Sequence, residues 1–192
     1  MIIVTRRTIL VPYTDYLESD FLMLNVCAKN RKHMNGPHTL ATARRLFHTI
    51  LSDSKFYAMA ALDLRTRDYM GHIFIERGAE GEGEIGYIFD KQYWNKGIAT
   101  EVLRAFIPDA VHTLGLNRLE ANVDIDHASS IRLLSKLGFE QYGQAEDEHG
   151  PYYQFQSTFG VLESESSAHE NLSSPAFLGN SRHRVLKTQT HK

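Results

Sequence analysis

The apolar positions of this chain fall into short runs, and their spacing switches between the period of two expected of a strand and the period of about 3.6 expected of a helix. Residues 2–11 mix β-branched with charged side chains and predict a first strand, punctuated by Pro12, Tyr13, Thr14 and Asp15. A helix is predicted over 16–29, with Thr14 or Asp15 as N-cap. Asn35, Gly36 and Pro37 form a turn signal. A second helix follows over 40–51, capped by Thr39, with Ala41, Ala43, Leu46 and Phe47 as its apolar side.

Residues 56–63 and 69–76 read as a hairpin around the polar turn 65–68, and 84–90 as a third strand after the turn 78–83. A helix opens near Gly97 and runs to about Leu114, with Ile98, Val102, Phe106 and Ala110 at i+4 spacing. Pro108 is expected to kink or split it, because proline offers no N–H to the carbonyl of Arg104. Alternation is cleanest over 118–125, where Leu119, Ala121, Val123 and Ile125 point one way and Glu120, Asn122 and Asp124 the other. A helix over 128–137, with Asp126 as N-cap and Gly138 just past its end, and strands over 140–145 and 152–159 complete the pattern. Hairpins first and helical crossovers later predict an α/β domain, a mixed sheet with helices on its faces.

After Phe159 the character changes. Residues 162–175 are rich in Ser and Glu, and 182–192 are basic and polar. Residues 161–192 are therefore expected to be a mostly disordered tail behind a domain of residues 1–160. The alternative is that 176–178 or 185–186 docks on the domain or on a second subunit. A hydrophobic content of 42% supports a core, and a net charge of −2 leaves no basic excess for nucleic acid. The single cysteine, Cys27, excludes an intrachain disulfide and a cysteine-rich zinc site, and reads as a small buried hydrophobe. The apolar start, residues 1–4, is followed at once by Arg6 and Arg7, unlike a signal peptide, and no run is long enough to span a bilayer. A cytoplasmic protein, monomer or homodimer, is expected.

The chemistry concentrates between Glu84 and Glu101. A strand ends, a loop turns, and a helix begins at small residues. The free N–H groups of a helix start attract anions, Gly97 permits an unusual φ, Ala99 lets a ligand approach, and Lys96 adds charge. An ordinary helix start is the alternative. The segment is neither a Walker A loop nor a dinucleotide fingerprint.

Tyr93-Trp94-Asn95-Lys96-Gly97-Ile98-Ala99-Thr100-Glu101 resembles the acetyl-CoA-binding motif of GNAT acetyltransferases in its RimJ/RimL-like form. A second block, Asp126-His127-Ala128-Ser129-Ser130 and then residues 131–139, resembles the family's E-N-x-x-S-x-x-x-L-x-K-x-G-F. Gly71, Glu84-Ile85-Gly86-Tyr87 and Met34-Asn35-Gly36-Pro37 are further matches, so the similarity covers about residues 5–159. The resemblance implies a mostly antiparallel sheet splayed between strands 84–90 and 118–125, with the pantetheine arm lying in the gap. It implies that backbone near Ile88 and Phe89 meets that arm, and that Asn95, Lys96, Gly97, Ile98, Ala99 and Thr100 hold the pyrophosphate. Met34, Asn35 and Tyr87 would border the acceptor.

The sequence departs from the family at three positions, the mildest being Asn95 for a frequent glycine, since Asn tolerates the left-handed region. His127 stands where the family has Asn and must substitute for it in holding the cofactor. Leu134 stands where many members have a Tyr that protonates the leaving thiolate; Ser130, one turn earlier on the same face, is the substitute donor or merely a cap of its own helix. Glu84 is the candidate general base, acting through water, or else a solvated hairpin-end charge. Ten histidines show no H-E-x-x-H and no compact cluster, so no metal is expected. The implied reaction moves an acetyl group from acetyl-CoA to a primary amine, the α-amine of a protein N-terminus or a small polyamine, amino acid or antibiotic. A non-catalytic acyl-CoA sensor is the competing class.

Overall fold

A computed structural model of the chain describes residues 1–160; the tail expected over 161–192 lies outside the described residues. Eight strands form one sheet in the order β1-β2-β3-β4-β5-β6-β8-β7. They are β1 (Ile3–Val4), β2 (Thr8–Pro12), β3 (Phe56–Asp63), β4 (Tyr69–Arg77), β5 (Glu82–Phe89), β6 (Arg118–Asp124), β7 (Glu140–Asp147) and β8 (Gly150–Thr158). The helices are α1 (Glu18–Val26), α2 (Leu40–Ser52), α3 (Ile98–Leu114) and α4 (Ala128–Lys136). Every neighbouring pair of strands is antiparallel except β5 and β6, which run parallel.

The period of two along β3 sorts the two faces. Tyr57, Met59 and Ala61 join the main core with Val102, Phe106 and Ala110 of α3 and Leu134 of α4. Phe56 and Ala58 face the other way, toward Phe21 of α1 and Phe47 and Ile50 of α2. Helices therefore cover both sides, as the element order implied. No described helix is long and apolar enough to cross a membrane.

Several boundaries differ from expectation. The first strand is two, because residues 5–7 form a tight turn between β1 and β2. It is closed by Thr5 N–H to Thr8 O (2.9 Å) and Thr8 N–H to Thr5 Oγ1 (3.0 Å), with no Gly, Pro or Asn to announce it. A single 3₁₀ turn, Asp15–Leu17, precedes α1, and neither Thr14 nor Leu17 caps through its side chain. The helix stops at Val26 rather than residue 29. In α2 Thr39 does cap, accepting from Thr42 N–H, but Ala41 is exposed and the buried line is Ala43, Phe47 and Ile50.

Pro108 does not split α3, which continues through it. Both Pro108 and Arg104, whose carbonyl loses its donor, are exposed, so water can take the unpaired oxygen. Ile125 lies past the end of β6 and is 39% exposed. His127, not Asp126, occupies the N-cap position of α4. Beyond α4, Gly138 takes φ +87° and its N–H returns to Ser135 O, as a glycine helix stop should.

Candidate active site

The parallel ladder between β5 and β6 holds only at Glu82–Arg118, Gly83–Leu119 and Glu84–Glu120. Past that point the strands part. The direction of each backbone group along β5 follows from the antiparallel alternation with β4. Gly78 N–H donates to Glu82 O and Asp90 N–H to Met70 O, which makes these the hydrogen-bonded pairs. Glu84, Gly86 and Ile88 therefore turn their N–H and C=O toward β4, and Ile85, Tyr87 and Phe89 turn theirs into the gap. The backbone of Ile88, expected to meet the pantetheine arm, is committed to His72; the edge that faces the gap belongs to Tyr87 and Phe89. Trp94 Nε1 donates to Phe89 O at 2.8 Å and ties the following loop to this edge.

That loop ends in a nest. Asn95 (φ +58°) and Gly97 (φ +73°) are both left-handed, and Gly97 is the N-cap of α3. A Cβ on Gly97 would meet nothing nearer than Arg7 Nη2 at 3.6 Å, so conformation rather than space demands glycine there. The first α-helical bond is Glu101 N–H to Gly97 O, which leaves the N–H groups of Ile98, Ala99 and Thr100 without intrahelical acceptors. The β1–β2 turn braces the loop from behind. Glu101 accepts from Thr5 Oγ1, Arg7 N–H and Arg7 Nε, each at 2.7 Å, and Arg7 Nη1 donates to Lys96 O at 2.8 Å. Burial pushes the Glu101 carboxyl up, but those hydrogen bonds outweigh it and hold it below its ordinary value. The Lys96 ammonium lies 6.0 Å from the Tyr93 ring centroid.

Glu84 occupies the crotch of the fork, at the last paired position, and accepts from Asn122 Nδ2 at 3.0 Å. Its carboxylate is on the α1–α2 side of the sheet, opposite Tyr87. On the other side, the Tyr87 and Ser130 hydroxyls lie 2.5 Å apart and bridge β5 to the first turn of α4. Burial pushes the Tyr87 phenol up to about 12, with the Ser130 hydrogen bond pulling the other way, so it stays protonated. Leu134 is fully buried one turn along, in the apolar core.

Met34 and Asn35 belong to the connection between α1 and α2, which is organised by Arg31, a fully buried arginine. Its guanidinium donates to Gly36 O (2.8 Å), Asn25 Oδ1 (3.0 Å) and Met34 O (2.7 Å). All three acceptors are neutral, and burial lowers the Arg31 pKa to about 10. Asn35 takes φ +64° to complete the turn. From the same connection, His33 stacks on His127 with ring centroids 4.3 Å apart and planes 14° apart. Burial, then the neighbouring His33, lowers His127 to about 4, with Asp126 opposing, so its imidazole is neutral near pH 7. Ligand atoms of His33, Asp124 and Asp126 fall within 4.8 Å of one another. Asp124 and Asp126 are neighbours in sequence, but His33 comes from about ninety residues earlier, so the grouping has no local sequence signal.

A family model described as the acetyltransferase (GNAT) domain matches residues 7–140. The chain is a member of the GNAT N-acetyltransferase family. The GNAT chain is 44% identical over 71 residues to the probable N-acetyltransferase YjcK of Bacillus subtilis (strain 168), an alignment covering 37% of this chain and 39% of the relative. Such alignments span about two fifths of the first curated relatives' own lengths. Among solved structures, a GNAT-family acetyltransferase from Bacillus anthracis superposes with a TM-score of 0.73 at 19% identity, covering 82% of this chain and 98% of that one. A spermidine N-acetyltransferase from Vibrio cholerae, in complex with CoA and spermine, superposes with a TM-score of 0.71 at 12% identity, covering 79% and 95%. Both likenesses are of fold.

The sequence reading missed Arg31 and the Arg7–Glu101 brace. A buried arginine among Lys29, Asn30 and Lys32 carries the same local signature as a surface one. The brace joins residues 94 apart in sequence.

Proposed function

We propose that this GNAT domain transfers the acetyl group of acetyl-CoA to a primary amine by direct attack. One observation carries the reading: β5 and β6 part beyond Glu84–Glu120, and the open end of β5 leads straight into an amide nest at the start of α3. A diphosphate suits the nest formed by Asn95, Lys96, Gly97, Ile98, Ala99 and Thr100, and an extended amide-bearing arm suits the edge presented by Tyr87 and Phe89. The donor supplies an activated acyl thioester. The amine must lose a proton before attack, and Glu84, at the crotch on the α1–α2 side, accepts it through water. A C–N bond forms and the C–S bond breaks. The Ser130–Tyr87 hydroxyl pair, on the opposite side of the sheet, supplies a proton to the departing sulfur. His127 is neutral and stands in for the family's Asn beside the cofactor.

The acceptor enters between α1–α2 and the sheet, past Met34 and Asn35. By the RimJ/RimL-like resemblance it is the α-amine of a protein N-terminus, and the domain works in the cytoplasm without nucleic-acid or membrane partners, as monomer or homodimer. A second reading, a small cationic amine, is favoured by the carboxylates of Glu84, Asp124 and Asp126 around that entrance.

Thiol release from acetyl-CoA against N-terminal peptides and polyamines tests both readings. Turnover on one class selects the acceptor; tight binding with no release on any amine selects the sensor. Glu84→Gln should lower turnover about 100-fold and leave acetyl-CoA affinity unchanged. Unchanged turnover removes Glu84 as the base.

A further inference from the structure

We infer that His33, Asp124 and Asp126 form a site for a divalent transition-metal ion of the zinc type, which clamps the α1–α2 connection to the turn between β6 and α4. One ligand atom from each residue lies within 4.8 Å of the other two. Zinc bonds of about 2.0–2.1 Å place tetrahedral donors about 3.4 Å apart. His33 Nδ1 and Asp126 Oδ1 already stand at 3.6 Å, and side-chain rotation closes the remainder.

Two separate segments build the site. The turn Asp124–His127 is closed by His127 N–H to Asp124 O at 3.0 Å and brings both carboxylates round toward the α1–α2 connection. The imidazole comes from that connection, where the buried Arg31 guanidinium holds Met34 O at 2.7 Å and Gly36 O at 2.8 Å, just beyond His33. Stacking on His127, with planes 14° apart, fixes the plane of the His33 ring. A ring held by its face presents its nitrogens at its edge, and Nδ1 points to the carboxylates. A donor held in place in this way loses little freedom when it binds.

A simple His33–Asp126 ion pair is the weaker explanation. The Asp126 side chain is 78% exposed, so exchanging its water for one imidazole gains little. A divalent ion engages the imidazole and both carboxylates at once, and it offsets two negative charges two residues apart. The donor set also selects the ion. Imidazole nitrogen suits zinc and its first-row neighbours, whereas magnesium and calcium take shells of oxygen. Three protein donors leave a fourth position for water. The clamp joins the connection bearing Met34 and Asn35 to the start of α4, and a bound ion withdraws two carboxylates from a cationic amine. That consequence rests on the acetyl-transfer reading; binding of the ion does not.

The test is a calorimetric titration of the full chain, first stripped of metal by a chelator, with Zn²⁺ and separately with Mg²⁺. The wild type should take up one tightly held Zn²⁺ with a Kd on the order of 1–10 μM, and should bind Mg²⁺ at least about 100-fold more weakly. His33→Ala should weaken Zn²⁺ by at least about 30-fold and Asp126→Asn by about 10-fold. Melting temperatures in chelator that match the wild type show that the variants are folded, and exposed Asp126 can be replaced without disturbing the core. Unchanged Zn²⁺ affinity in both variants assigns the uptake to other histidines and overturns the site. A wild type that binds neither ion, or both alike, overturns it too. Coenzyme A titrated into the same preparation reports separately on the acetyl-CoA reading, so the failure of one is told from the failure of the other.

Discussion

Ser130 and Tyr87 join two elements through a single hydroxyl contact. Their hydroxyls, 2.5 Å apart, join α4 to β5 across the fork. Ser130→Ala leaves the Tyr87 hydroxyl without this partner and should destabilise the domain by about 1–3 kcal/mol. Turnover should fall by only about 10-fold, because a thiol of pKa roughly 8.5 is a fair leaving group without help. Thermal melts and initial rates on the same preparation separate the two effects, and unchanged rates remove Ser130 from the chemistry. Glu84 stood out from its motif, and the structure places it at the last paired position of the fork. Arg31 was not legible, because burial of a guanidinium on neutral acceptors leaves no trace in local sequence. Nor was the stacking of His127 on His33, which depends on a loop packing against a distant strand end.

The proposed cofactor site rests on two element-scale features, the helix start at Gly97 and the parting of two strands. Gly97 holds φ +73° with nothing close to its missing Cβ, so substitution acts through conformation first. Gly97→Ala should cost about 1–2 kcal/mol and weaken acetyl-CoA, while Gly97→Glu, which adds an anion inside the nest, should abolish binding. Titration of both variants checks the order; an unaffected Gly97→Glu would show that the nest is not the diphosphate seat. Most elements were legible from periodicity: β6 from Leu119, Ala121 and Val123, and α2 from Ala43 and Phe47 behind the Thr39 cap. The β1–β2 turn was not, since Thr5, Arg6 and Arg7 carry no turn residue and close through threonine side chains. Pro108 carries the signal of a kink or split, but it lies off the apolar line of Phe106 and Ala110, where water can meet the carbonyl it leaves unpaired. The fork itself came only from family resemblance, because which strands pair, and where pairing stops, is not a local property.

At the scale of the whole molecule, acid should be the main chemical threat. His38, His72 and His127 are held below their ordinary 6.5, to about 4, about 3 and about 4, with burial the leading cause in each. The unfolded chain takes up protons near pH 6.5 that the folded chain refuses until near pH 4 or lower. Stability from these groups is therefore complete above about pH 6.5 and is lost as pH falls, by up to about 1.4 kcal/mol per pH unit for buried His72 and by less for half-buried His38 and His127, which solvent screens. The melting temperature should drop between pH 7.5 and pH 5; a constant or rising value would mean that these rings are not buried neutral. Among the described residues the sheet has two open margins, and they are guarded differently. β1 is only two residues long, too short to template a neighbour, while β7 is broken by an irregularity between Gln141 and Gly143 and bears Glu140, Glu146 and Asp147. A passing chain that tried to zip onto either rim would meet a missing ladder on one side and a kinked, like-charged one on the other, so these strands discourage fibril growth.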